Sequence, residues 1–139
     1  MVHIRHNLII DAPPENVYKA ITTKGGIQNW WTDDTEIEPI IGSIATFNFG
    51  DRYHNEMKIV DIQPNKRVEW LCIEADAEWI DTTIIFEIEE KDRKAFLRFA
   101  HNNWKNQNDF YAHCNYQWGR YMNSLKCYCE TGKGNPFIQ

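Results

Sequence analysis

The sequence has no apolar run approaching the length that crosses a bilayer, which excludes membrane insertion. It has no internal repeat, no low-complexity tract and no linker-like stretch rich in Gly, Ser or Pro. One domain spanning 1–139 is therefore expected. Positive charge is in deficit: 15 Lys and Arg against 20 Asp and Glu leave a net charge of −5. Nothing in that balance steers the chain to nucleic acid or to an anionic membrane. Cysteine is sparse. Cys72, Cys114, Cys127 and Cys129 lack the even spacing of a disulfide framework, so a reducing, cytoplasmic location is expected. The opening "MVHIRHNLII" carries charge inside its only hydrophobic stretch and has no small-residue cleavage site, unlike a signal peptide. Signature motifs are missing too. No G-x-S-x-G, glycine-rich phosphate loop or H-E-x-x-H occurs, so no nucleophile–base constellation is legible and no cofactor is expected. Cys127-x-Cys129 is closer-spaced than a zinc pair and falls in a helical stretch, so it reads as structural thiol and no metal site is expected.

Aromatic residues are what the chain has in quantity: 14%, with six Trp, six Tyr and seven Phe. So much ring surface implies a thick core, an aromatic-lined cavity or an adhesive surface. The stretch "IQNWWTDDTE" (27–36) concentrates the question. Neighbouring side chains diverge by about 100° on a helix and point to opposite faces on a strand. Trp30 and Trp31 therefore cannot share one environment. One is expected to anchor the join between short helices and sheet, and the other to line the mouth of a cavity. Asp33 and Asp34 read as a solvated turn.

Periodicity organises the remainder. "HIRHNLIID" reads as a strand, with Ile4, Leu8 and Ile10 alternating. "APPENVYKAI" starts a helix, with Pro14 and Glu15 suited to its first turn. The glycine pair in "TTKGG" reads as its stop, and a second short helix is expected at 27–31. Strands follow at 44–49, 54–62, 67–73, 81–90 and 95–101, separated by short turns, which implies an antiparallel meander. Both parities of 54–62 and 67–73 carry apolar residues, leaving their inward faces open. Finally Cys114, Trp118, Tyr121, Met122, Leu125 and Cys129 mark one face of a helix over 109–130, opened by Asn108 and stopped at "TGKG". The expected class is α+β: a curved six-stranded antiparallel sheet gripping the long C-terminal helix, with two short helices.

Four segments in this order resemble the SRPBCC superfamily (START-like, helix-grip, related in fold to the birch-pollen allergen). Within it, the chain is most similar to the domain homologous to the activator of the heat-shock-protein-90 ATPase. The segments are "IDAPPENVYKAITTKGGIQNWW" (10–31), "VDIQPNKRVEW" (60–70), "TTIIFEIEEKDRKAFLRFAHNNW" (82–104) and "YQWGRYMNSLKCYCETGKG" (116–134). Gln117 departs from the pattern, standing where many relatives have glycine. The resemblance implies a helix-grip fold. It does not choose a function, since such folds include ligand carriers, cyclases, hydrolases and co-chaperone domains.

The candidate site is the space between sheet and long helix. Trp30, Trp31, Phe47, Phe49, Trp70, Phe86, Phe99, His101, Trp118 and Tyr121 are expected around it as ligand-binding residues, or else they simply fill the core. His101 ends an alternating series with Leu97 and Phe99. Pointing inward, it would act either as a general base or as a structural hydrogen-bonding group. No residue is assigned as catalytic, and the expected function is non-catalytic binding of a small hydrophobic molecule. A co-chaperone-like domain, acting on a heat-shock-protein-90-type ATPase, is the alternative. The absence of the extra N-terminal region that the full activator uses weighs against it. A cyclase or hydrolase comes third. The aromatics of 102–111 would suit self-association.

Overall fold

The computed structural model describes all 139 residues. β1 (Val2–Ile10) leads into α1 (Pro14–Thr22) and α2 (Lys24–Trp30). Then come β2 (Asp34–Glu36), β3 (Ile44–Phe49), β4 (Tyr53–Gln63), β5 (Arg67–Glu74), β6 (Thr83–Lys91), β7 (Lys94–Trp104) and α3 (Asp109–Thr131). The strands form one curved antiparallel sheet in the order β1-β7-β6-β5-β4-β3-β2. The first strand closes onto the last, with Ile4 opposite His101 and Leu8 opposite Leu97. No helix is long and apolar enough to cross a membrane.

Strict alternation puts one face of the sheet in the core. Ile84, Phe86 and Ile88 of β6 are buried, as are Ala95, Leu97, Phe99 and His101 of β7. Against them lie Cys114, Trp118, Met122 and Leu125 of α3, one buried stripe of that helix. Asn108 caps α3 by accepting from the Tyr111 N–H at 3.0 Å. Gly132 ends it in a left-handed conformation, donating its N–H to Tyr128 O. Midway, Ser124 fastens α3 to two other parts of the chain. Its hydroxyl donates to Trp30 O at 2.8 Å and accepts from the Asn135 N–H at 2.7 Å.

Four expectations need correction or completion. The sheet has seven strands, not six. β2 is the missed one: it has three residues, of which only Thr35 is buried, so no alternating pattern could announce it. Asp34 begins that strand, and the Asp33 carboxylate accepts from the Gln139 N–H, so this is not a free turn. The glycine pair does not stop α1. Gly25 and Gly26 lie inside α2, and Thr23 serves as the last cap of α1 and the first of α2, accepting from the Gly26 N–H. Gly26 is needed for close packing: a Cβ there would stand 2.5 Å from Ala20 O. The open parities are resolved by an irregularity. Asn55, Met57 and Ile59 face inward on β4 until the register shifts between Ile59 and Asp61, whereas β5 points Val68, Trp70 and Cys72 inward throughout.

Candidate functional site

β5, β6 and β7 carry the filled half of the interior. Trp70, Phe86 and Phe99 are fully buried, with Phe86 edge-on to Trp70 at 5.1 Å and to Phe99 at 5.3 Å. At the end of this series His101 is also completely buried. The chain makes room for Trp104 beside it through Asn103, whose φ of 72° breaks the alternation so that both residues of H-x-x-W turn inward. His101 Nδ1 accepts from the Trp118 indole N–H at 3.0 Å. Its Nε2 lies 2.8 Å from Thr82 Oγ1, whose own proton goes to Trp79 O. The hydroxyl therefore accepts from Nε2–H, and the ring is held neutral in one tautomer with both nitrogens engaged. Burial pushes its pKa down to about 3. A lone pair already occupied by an indole leaves no basic atom for substrate, so His101 serves as a structural hydrogen-bonding group.

Trp79, in the β5–β6 connection, is the partition. It meets the His101 ring edge-on at 4.8 Å and stacks on Trp118 at 6.1 Å. On its other side a cleft of about 350 Å³ opens between the β3–β4 hairpin, the β5–β6 connection and α3. Nine of its fifteen lining residues are hydrophobic. Phe49 comes from the end of β3. Phe110, Cys114, Trp118 and Tyr121 come from α3, spaced to share a face. Trp31 forms the back wall, 5.4 Å from Phe49 and 5.2 Å from Trp118. Phe137 of the C-terminal segment completes the rim. The segment is held by a bond from the Phe137 N–H to Trp31 O at 2.8 Å, and the Phe137 ring packs on Phe49 at 5.6 Å. Arg52, Arg120, His113 and Asp76 stand at the mouth. Burial raises the Cys114 thiol to about 11 and also raises the Tyr121 hydroxyl, so neither ionises near neutrality.

Of the ten residues expected around this space, Trp31, Phe49, Trp118 and Tyr121 stand on the cleft wall. Trp30, Phe47, Trp70, Phe86, Phe99 and His101 sit in the packed interior, each with no exposed surface. The tryptophan pair is thereby resolved. Trp30 anchors α2, its indole donating to Ala20 O at 2.8 Å, and stacks on Trp31, which faces the cleft. Sequence reasoning missed Trp79, although a tryptophan inside the polar run "EADAEW" was itself a signal. It also missed Asn55, Gln117 and Phe137 as wall residues. Away from the cleft, His54, Glu56 and Glu74 bring one ligand atom each within 4.8 Å of one another. A hydrogen bond with His54 holds the Glu56 carboxyl below the usual carboxylate range.

The helix-grip architecture agrees with the comparisons. The family model described as Activator of Hsp90 ATPase homolog 1-like protein matches residues 11–130. The chain belongs to that family. Among solved structures, the solution structure of the Aha1 dimer from Colwellia psychrerythraea is 38% identical. The match covers 96% of this chain and all of that one, with a TM-score of 0.89. Protein SSP2350 from Staphylococcus saprophyticus is 17% identical over 99% of this chain and 98% of its own, with a TM-score of 0.82. Protein MLL2253 from Mesorhizobium loti, also 17% identical, covers 90% and 94%, with a TM-score of 0.80. The latter two likenesses concern the fold alone. No curated protein matches the chain.

Proposed function

We propose that this protein is a non-catalytic binding domain for a small hydrophobic molecule, held in the cleft between the β3–β4 hairpin and α3. The observation that carries this reading is the contrast between a filled interior and one aromatic-walled space of about 350 Å³, a size that suits a small-molecule site. Binding without bond-making fits the chemistry on hand. The one fully buried imidazole has both nitrogens occupied, and the cleft's thiol and phenol have raised pKa values. Arg52 and Arg120 at the mouth form no ion pair with a carboxylate of the chain, which would favour a ligand with an anionic end. Four free thiols suit a reducing, cytoplasmic setting.

The test combines two measurements. Native mass spectrometry of protein from its own host should show a discrete excess mass that is lost on denaturation. Titration with 8-anilinonaphthalene-1-sulfonate should give a saturable one-to-one fluorescence gain that Gln117→Trp, which fills the cleft, abolishes. An equal gain in that variant would place the probe elsewhere and remove the support for this reading.

A second reading, self-association, has its own support. The 38% identical relative is described as a dimer, and Ile40, Ile41 and Ile44 form an exposed isoleucine patch next to the β2 edge of the sheet. A chaperone partner is the further alternative, supported by the family's description.

A further inference from the structure

Among the apolar walls of the cleft stands one buried amide. Asn55, in the inward series of β4, is 4% exposed and sits directly across from Phe47 in the β3–β4 ladder. Its Nδ2 donates to Phe47 O at 3.1 Å, and this bond settles which way the amide points, because a carbonyl can only be met by the donor end. Oδ1 is turned the other way. No group of the protein donates to it, it keeps contact with solvent, and the residue lines the cleft. On a residue otherwise buried, an acceptor that only water reaches, at the wall of an aromatic-lined space, gives a donor on an entering molecule a place to bond.

We propose that Asn55 Oδ1 selects the ligand: the cleft takes a small flat molecule with an apolar or aromatic body and a neutral hydrogen-bond donor, hydroxyl or N–H, that bonds this oxygen. The inference rests on the binding function proposed above and narrows it to a chemical class. Trp31, Phe49, Trp118 and Tyr121 supply ring faces for the body of such a molecule. A pure hydrocarbon of the same shape would make the same ring contacts, but it would strip water from Oδ1 and offer nothing in return. That loss discriminates against it.

The experiment measures dissociation constants for 2-naphthol and 2-methylnaphthalene, which differ by hydroxyl against methyl. Both are measured on the full chain and on Asn55→Leu. The ratio of the two constants removes the differing hydrophobicity of the probes. Loss of one hydrogen bond to this oxygen should move that ratio by about tenfold toward the methyl compound in the variant. The wild-type chain alone supplies a second measurement: the Asn55 side-chain amide resonances should shift with 2-naphthol and move much less with 2-methylnaphthalene. An unchanged ratio, or equal resonance shifts with both probes if the variant does not fold, would overturn the inference while leaving the cleft a hydrophobic site. If neither probe binds the wild-type chain, the ligand-binding reading itself falls, and this one with it.

Discussion

The two ends of the interior use the same material and reach opposite results. Around β5–β7, Trp70, Phe86 and Phe99 meet edge to face with no exposed surface, whereas the β3–β4 end surrounds a cleft with Trp31, Phe49 and Trp118. Ring content does not separate them. What differs is the residue placed opposite the rings. In the filled half, inward positions of adjacent strands are large: Trp70 pairs with Ile84, and Phe86 with Phe99. In the open half, Phe47 is paired with the shorter Asn55, and α3 presents Gln117 to the opening. Trp79 lies between the halves, touching His101 on one side and the cleft on the other. A cavity in this fold is therefore a local shortage of volume at a few inward positions, and those positions can be tested one at a time.

The sharpest test is the same substitution in each half. Phe86→Ala should cost about 3–5 kcal/mol of unfolding free energy, because nothing in the filled half can collapse into the hole. Phe49→Ala, on a half-buried wall already facing open space, should cost only about 1–2 kcal/mol by the same urea titration. Equal losses would mean the halves are not packed differently.

Acid comes next. The folded-state pKa of His101 is depressed, so native protein refuses a proton that the unfolded chain accepts below about pH 6.5. Stability is thus unaffected by this group above that value and falls as pH drops from there towards 3, by up to about 1.4 kcal/mol per pH unit. His101→Gln should flatten that limb of a stability–pH profile even though the variant is less stable at neutrality. An unchanged limb would show that carboxylates alone govern acid unfolding. The smallest effect on stability is expected outside both halves. Ile41→Glu, at a position 59% exposed, should alter the unfolding free energy by less than about 0.5 kcal/mol. Light scattering would show it lowering the apparent mass if the patch joins two copies. A stable dimer in that variant would move the interface elsewhere.

Much of the frame is legible in the sequence. Alternation along 84–88 and 95–101, the helical stripe from Cys114 to Leu125, the Asn108 cap and the Gly132 stop are local patterns, each set by residues close in sequence. Where reading failed, the cause was local as well. β2 was too short and too polar to alternate, and the register shift after Ile59 mixed the parities of β4. Gly25 and Gly26 looked like a stop because glycine marks both left-handed exits and close contacts, and only the position of Ala20 O distinguishes them.

The sequence by itself determined the element types, the direction of the meander and the presence of more rings than a small core needs, since these follow from spacing and composition. Tertiary structure alone decided which rings fill and which line. That choice depends on volumes that meet from distant segments, Asn55 opposite Phe47, Trp79 over His101 and Phe137 returning to Phe49, and no period in the chain encodes such meetings.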